Sequence, residues 1–339
     1  MRKPVTRVAM GLLLALVALV PLGSATGQQP SMPPACEELA FSTEEDFITR
    51  GPEPPDGNPY ISDGDLLGRN CVVCARNADL VGDFDVSADL GLDAADVIDA
   101  ERYLVAFSTE LDSPHGSFTA GDLLTTNGVI IPNVALTYGF QVGYDVGLDG
   151  LHFVGPPQNI QGFLAAIREA QLDRDYWLQN PGDLGDRLEE YEIDIWFSTE
   201  GTWMPLEGVG FLDGDVLSAR DGDVVAHIQH LLPPDVPAGI PDRGVDFGLD
   251  AVTSTRMGDE NRIQFSTEIL YENDRSFTDG DVLLAGNGIV TTNQQLIMCF
   301  EPKADFLGLD AFHMGAPEGP QQVGVYLPVV LKGFGQTTR

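Results

Sequence analysis

Phe41-Ser42-Thr43-Glu44, Phe107-Ser108-Thr109-Glu110, Phe197-Ser198-Thr199-Glu200 and Phe265-Ser266-Thr267-Glu268 are four copies of one tetrapeptide in a chain of 339 residues. Chance would hardly place them in an ordinary domain, and self-similarity of this kind is the sequence mark of a repeat architecture. Each copy opens the same series of motifs. A Gly-Asp pair with two aliphatic residues follows, at Gly64-Asp65-Leu66-Leu67, Gly121-Asp122-Leu123-Leu124, Gly214-Asp215-Val216-Leu217 and Gly280-Asp281-Val282-Leu283. A Gly-Leu-Asp then closes each unit, beginning at Gly91, Gly147, Gly248 and Gly308.

The spacings separate rigid parts from tolerant ones. Gly-Asp to Gly-Leu-Asp takes 27, 26, 34 and 28 residues, whereas Gly-Leu-Asp to the next Phe-Ser-Thr-Glu takes 16, 50 and 17. The long step, residues 158 to 190, carries Ile160, Phe163, Leu164 and Ile167 at helical spacing and then the loop-forming Asn180-Pro181-Gly182. Within a unit the pattern is β. Leu39/Phe41/Thr43, Val105/Phe107/Thr109, Ile195/Phe197/Thr199 and Ile263/Phe265/Thr267 alternate with the residues between them, which predicts a half-buried strand. Asn127-Gly128 and Asn287-Gly288 predict type I′ hairpin turns. Asn77, Asn133 and Asn293 each start an Asn-x-x-Leu-x-x-x-Phe run, where the Asn is expected to cap a short helix. His227 stands at that position in the third unit.

A unit of three or four strands cannot bury its apolar face alone and must shelter it against its siblings. The expected fold class is therefore all-β with minor helix: four homologous β-rich repeats forming either a small propeller-like ring or two double-repeat β domains. The expected organisation is a signal peptide over 1–26, repeats 1 and 2 over 37–155, a helical insert over 156–190, repeats 3 and 4 over 191–315, and a C-terminal strand and tail over 316–339.

Charge and compartment come from the ends and the composition. Arg2, Lys3 and Arg7 precede an apolar run from Val8 to Leu22 and the small residues Gly23-Ser24-Ala25, the layout of a secretory signal peptide. Its apolar stretch is shorter than the roughly 20 residues a membrane span needs, so cleavage near Ala25 and a secreted, extracellular chain with no membrane span are expected. Removing the three basic residues takes the net charge from −34 to −37. Such a surface repels nucleic acid, leaving cations, an extracellular protein or a glycan as partners. With 43% hydrophobic residues the chain folds rather than forming an acidic tail.

Over residues 39–315 these blocks resemble the Phe-Ser-Thr-Glu, Gly-Asp-(Leu/Val)-Leu and Gly-Leu-Asp-Ala repeats of exported bacterial proteins of unassigned activity. The resemblance implies a compartment and no chemistry. The Asp-Ala and Phe-x-x-Glu periodicity is similar to that of hemopexin-type blades. The run Val325-Tyr326-Leu327-Pro328-Val329-Val330-Leu331-Lys332 is similar to a short tail of secreted proteins from filamentous green bacteria.

In an exported chain Cys36, Cys71, Cys74 and Cys299 should pair, with three connectivities open. A Cys36–Cys299 link would tie beginning to end. The Cys71-x-x-Cys74 spacing lacks the Trp, Gly and Pro of a redox motif.

Three sets of acids recur at matched places and are the candidate metal ligands: Glu44, Glu110, Glu200 and Glu268; Asp65, Asp122, Asp215 and Asp281; Asp93, Asp149, Asp250 and Asp310. Carboxylates so concentrated repel one another unless a cation or hydrogen bonds compensate. Calcium takes six to eight oxygen ligands and is the expected cofactor. The competing reading gives the Asp beside Gly a turn-capping role. Trp177, Trp196 and Trp203 near Glu200 raise a carbohydrate-binding protein or a carboxylate-dependent glycoside hydrolase as the alternative. His227-x-x-His230 lacks a third zinc ligand. No Gly-x-Ser-x-Gly, Walker loop or His-Glu-x-x-His occurs. The expected function is a secreted acidic structural or binding module at the cell exterior, stabilised by calcium and more readily a non-enzyme than an enzyme, with no catalytic residue assigned.

Overall fold

Each Phe-Ser-Thr-Glu ends a strand that is second in a sheet of four. The computed structural model describes residues 31–206, 208–238, 245–257, 260–272 and 276–315, and among them it contains four four-stranded antiparallel sheets and one two-stranded ribbon. Sheet I runs Phe312–Met314, Leu39–Phe41, Leu66–Gly68, Val72–Ala75, and sheet II runs Ala95–Asp99, Leu104–Phe107, Leu123–Thr125, Ile130–Ile131. Sheet III runs Leu151–Val154, Asp194–Phe197, Val216–Ser218, Val224–Ala226, and sheet IV runs Val252–Met257, Glu260–Phe265, Val282–Leu284, Gly288–Thr291. The first strand of each, here called its lead strand, directly follows a Gly-Leu-Asp. The lead strand of sheet I comes from the far end of the described chain, with Phe41 opposite Phe312 and Ala40 opposite His313.

Neighbouring sheets share hydrophobic clusters. In sheet II, Leu104 and Ala106 enter one cluster while Val105 and Phe107 enter another, because the sheet is packed on both faces. Phe41, Phe107, Phe197 and Phe265 are fully buried, and so are Ser42, Thr43, Ser108 and Thr109. The half-buried strand expected from alternation is thus corrected: with cores on either side, the small polar face is buried too and must be hydrogen-bonded. The serines meet that need between sheets. Ser42, Ser108, Ser198 and Ser266 donate from Oγ to the carbonyls of Leu92, Leu148, Leu249 and Leu309, at 3.3, 2.9, 2.7 and 3.0 Å. Each bond leaves one sheet for the Gly-Leu-Asp segment leading into the next, and the fourth returns to sheet I.

The expected fold class, all-β as a propeller-like ring or as two double-repeat domains, is corrected to a mixed α/β assembly of small antiparallel sheets. Eight α-helices lie among the described residues. Three of them, Pro157–Glu169, Arg174–Gln179 and Asp183–Glu190, bury Ile160, Phe163, Leu164, Ile167, Trp177, Leu184 and Leu188 in the cluster shared by sheets II and III. Among the described residues no strand of one four-stranded sheet pairs with a strand of another, so the sheets meet through side-chain packing and the serine hydrogen bonds and do not merge into a barrel. Two independent halves are excluded because sheet I contains strands from both ends and a further cluster joins Leu39 and Phe41 to Leu296, Phe300 and Phe312.

Two local expectations are also corrected. At Asn127-Gly128 only Gly128 is left-handed, with φ 83°, and its N–H donates to the Thr125 carbonyl at 2.8 Å, so the turn spans residues 125–128. Asn77, Asn133 and Asn293 are the first residues of short helices rather than their caps. The disulfides are Cys36–Cys74 and Cys71–Cys299, which corrects the Cys36–Cys299 link while still tying the first unit to the last. The leader over 1–26 and the tail over 316–339 lie outside the described residues. No helix among the described residues is long and apolar enough to cross a membrane.

Candidate functional site

The Gly-Leu-Asp segments bring four aspartates together where the lead strands begin. Burial first lifts Asp93, Asp149, Asp250 and Asp310 well above the usual carboxylate range, and the charges of neighbouring glutamates, with those of Asp93 and Asp250 on their fellow aspartates, raise them further. Asp149, Asp250 and Asp310 are 5%, 9% and 8% exposed. In all four, Oδ2 is buried and accepts no hydrogen bond. One orphaned buried carboxylate oxygen is costly, because removing an ion from water is repaid only by a partner. Four converging orphans are a site whose design assumes something else.

The glutamates of Phe-Ser-Thr-Glu sit beside them. Glu110, Glu200, Glu268 and Glu44 fold against the glycines of Gly91, Gly147, Gly248 and Gly308. A Cβ on Gly147 would lie 2.6 Å from Glu200 Cδ, and one on Gly91 would lie 2.5 Å from Glu110 Cδ. Those two glycines also hold left-handed φ of 81° and 70°, so the position needs glycine twice over. Desolvation first, and neighbouring acids second, push Glu44, Glu110 and Glu268 up to about 7. Glu200 is raised in the same way, by burial and then by Asp145. The glutamate side chains reach solvent, so the cluster has a wet mouth above a buried floor.

Asp93, Asp149 and Glu200 come closest to a ready ligand set, each offering an oxygen within 4.8 Å of the others. Further acids surround the mouth. Asp63 and Asp279 are raised mainly by burial, and Asp246 is raised to about 7 by burial and then by the adjacent Asp213 carboxyl.

The third set of candidates does other work. Asp65 Oδ1 accepts the Asn77 N–H at 3.1 Å and its Oδ2 accepts the Ser62 N–H at 3.2 Å. Asp122, Asp215 and Asp281 repeat the arrangement on Asn133, Ile228 and Asn293, and on Thr119, Leu212 and Thr278. These four aspartates cap a helix and pin a turn, and the structure does not bring them into the cluster. Asn77, Asn133 and Asn293 accept at Oδ1 the backbone N–H of Leu90, Val146 and Leu307, which anchors the chain entering Gly-Leu-Asp.

The remaining chemistry suggested by the sequence is not assembled. Trp177 is fully buried in the core and cannot stack on a sugar; Trp203 stands edge-on to Tyr144 at 5.8 Å between ring centres. His227 Nδ1 meets Asp215 Oδ2 at 3.1 Å, and no metal-ligand group among the described residues contains His227 or His230. All four cysteines are paired, leaving no thiolate nucleophile.

A buried polar group that sequence reasoning missed lies three residues beyond the cluster aspartates. Asp96, His152, Thr253 and His313 hold that same position in the four lead strands. Their signal was readable as the divergence of four otherwise matched copies at one register.

No family model matches this chain, and no solved structure matches it. It is similar to a curated protein named Nitrilase from Pyrococcus abyssi (strain GE5 / Orsay), 29% identical over 122 residues, which are 36% of this chain and 44% of that protein. The chain thus spans less than half the length of that relative. That relative's name is an enzyme's, and on this similarity the expected structural or binding module, the carbohydrate-binding or glycoside-hydrolase alternative, and the preference for a non-enzyme are corrected.

Proposed function

We propose that the carboxylate cluster binds a hard divalent cation, calcium foremost, through Asp93, Asp149, Asp250 and Asp310 on the floor and Glu44, Glu110, Glu200 and Glu268 at the mouth. The observation that carries this reading is that Asp93, Asp149, Asp250 and Asp310 each bury an Oδ2 without a hydrogen-bond donor, with Asp93 and Asp149 placing ligand atoms within 4.8 Å of each other and of Glu200. A proton on each would neutralise them, and one divalent ion shared between them would offset half of their charge. The donors are carboxylate oxygens without nitrogen or sulfur, which favours calcium over zinc or copper. Their number exceeds the one or two carboxylates with which magnesium is usually held. Asp93, Asp149 and Glu200 are the first ligands on this reading. Asp65, Asp122, Asp215 and Asp281 have no place in it.

Calorimetric titration of the chelator-treated protein with calcium, magnesium and zinc in parallel tests the proposal. Saturable calcium binding, weakened at least tenfold by Asp149→Asn, is the expected result. No heat and no change in melting temperature with calcium defeats it.

The relative named Nitrilase favours a second, compatible reading, in which the chain is a hydrolase. Incubation with a panel of nitriles, amides and esters, with product analysis, tests that reading separately from cation binding.

A further inference from the structure

The four lead strands match residue for residue at the cluster aspartates and then diverge. Three positions on, sheet II carries Asp96, sheet III His152, sheet IV Thr253 and sheet I His313. The aspartate three residues earlier is kept in every unit, and this position is not. Instead this register gathers an acid and two imidazoles, with Asp96, His152 and His313 only 3%, 8% and 7% exposed.

Their contacts are directional. Asp96 Oδ1 lies 2.6 Å from His313 Nδ1, while Asp96 Oδ2 accepts the Phe153 N–H at 2.7 Å and lies 3.3 Å from His152 Nδ1. The far side of the His152 ring, Nε2, lies 2.9 Å from Ser254 Oγ. Burial alone would raise Asp96, but His152 and His313 outweigh it and hold the carboxyl well below the usual range, so the anion persists. His152 Nδ1 makes no hydrogen bond of its own and stands 3.3 Å from that anion; in the tautomer that carries its proton on Nδ1, the Nε2 lone pair faces the serine hydroxyl. A hydroxyl, an imidazole and a buried carboxylate in this order are the nucleophile, base and orienting group of serine hydrolysis, recognised by geometry and not by chain order.

A metal explains the group less well. Asp96 spans its two histidines with different oxygens, and the three side chains are not among the sets able to place ligand atoms within 4.8 Å of one another. Burial separates the roles further. Asp96 and His152 are covered, whereas Ser254 is half-buried on a lead strand that continues to half-buried Thr255 and exposed Arg256. The hydroxyl is the member of the group that a substrate can reach.

We propose that Ser254, His152 and Asp96 form a nucleophilic triad acting on carboxylic esters or amides, with His313 positioning Asp96 from its other oxygen. This inference rests on the hydrolytic reading above and is independent of the cation. Ser254 Oγ bonds to the acyl carbon as the bond to the leaving group breaks. The hydroxyl proton passes to His152 Nε2 and on to the departing group. Water then repeats the sequence, releasing the acid and restoring the serine.

The test exposes the intact protein to a biotinylated fluorophosphonate, which phosphonylates an activated serine with loss of fluoride, and maps the adduct by mass spectrometry. Labelling at Ser254, abolished by Ser254→Ala and slowed about 100-fold or more by His152→Gln, is expected, with both variants checked for an unchanged melting profile. Ester hydrolysis lost in Ser254→Ala but present in the parent supports it likewise. Hydrolysis that survives Ser254→Ala overturns the triad and leaves the hydrolytic reading standing. Neither labelling nor hydrolysis overturns both. His313→Gln should slow labelling through Asp96 without removing it; should His152→Gln melt early while Ser254 in the parent stays unlabelled, the group is a structural bridge and the proposal fails.

Discussion

Raising the pH from 5 to 8 in the presence of chelator should destabilise this protein, and calcium should abolish that loss. Glu44, Glu110 and Glu268 hold their protons up to about 7 in the folded chain, against an ordinary value of 4.5. The folded state therefore binds more protons than the unfolded state between those values, and stability falls as pH climbs through the window. A full shift of about 2.5 units at about 1.4 kcal/mol per unit would be worth about 3.4 kcal/mol per group. All three carboxylates reach solvent, so we keep about a third, about 1 kcal/mol each or about 3 kcal/mol together. The buried Asp93, Asp149, Asp250 and Asp310 shift in the same direction and add to it. For a domain of this size about 3 kcal/mol corresponds to a fall of about 5 °C in melting temperature. Calcium competes with the protons, and at one hundred times its dissociation constant it returns about 2.7 kcal/mol. Differential scanning fluorimetry at unit pH steps, with calcium and with chelator, measures both curves. A chelated protein whose melting temperature rises from pH 5 to pH 8, or two curves that coincide throughout, refutes the reasoning.

Three further outcomes follow from the same geometry. Asp122→Asn removes the anion that accepts the Thr119 and Asn133 N–H groups and pairs with Arg174 at 2.5 Å, so it should lose about 1.5–3 kcal/mol in urea melts while leaving the calcium titration unchanged. Gly147→Ala forces a left-handed alanine against Glu200 and should cost at least about 1 kcal/mol and weaken calcium binding, both read in one titrated melt. Replacing Cys71 and Cys299 together by serine opens a loop of sequence separation 228 and should cost about 2–5 kcal/mol in the same assay.

Much of the site was legible because each motif residue has one physical duty repeated fourfold. In Phe-Ser-Thr-Glu the Phe fills a shared cluster, the Ser bonds to the next sheet, the Thr donates to a carbonyl two residues on, and the Glu enters the acid cluster. Of the acids named from the sequence, Asp93, Asp149 and Glu200 come within 4.8 Å of one another. The set of Asp65, Asp122, Asp215 and Asp281 was misplaced because an Asp after Gly has two competing duties, ligand and cap, and only coordinates show that Asp65 Oδ1 has the Asn77 N–H within 3.1 Å. The helical share was underweighted for a similar reason. Ile160, Phe163, Leu164 and Ile167 mark a helix, but nothing local says that its face completes the cluster between sheets II and III rather than bridging separate domains. Ser254 was invisible: its partners are 102 and 158 residues away along the chain, in other sheets, and no local spacing rule links them.

The two polar levels of the lead strands divide along that same line between repetition and divergence. Where the four copies agree, at Asp93, Asp149, Asp250 and Asp310, symmetry concentrates like charges, and the physical remedy is a proton or a cation that serves all four. Where they disagree, three residues later, opposite groups are matched one to one: Asp96 to His152 and His313, and His152 to Ser254. A symmetric level can bind an ion without distinguishing its ligands. An asymmetric level can assign a donor, an acceptor and a nucleophile, which is what bond-breaking chemistry demands. If the chain hydrolyses anything, the divergent level is where the sequence has room for it, and the level of identical aspartates is where it has room for calcium. Exchanging one member of each level separates them: Asp250→Asn should alter calcium binding and leave Ser254 labelling intact, while Ser254→Ala should do the reverse. A variant of either kind that moved both readouts together, in a protein still folded, would show that the two levels are one site.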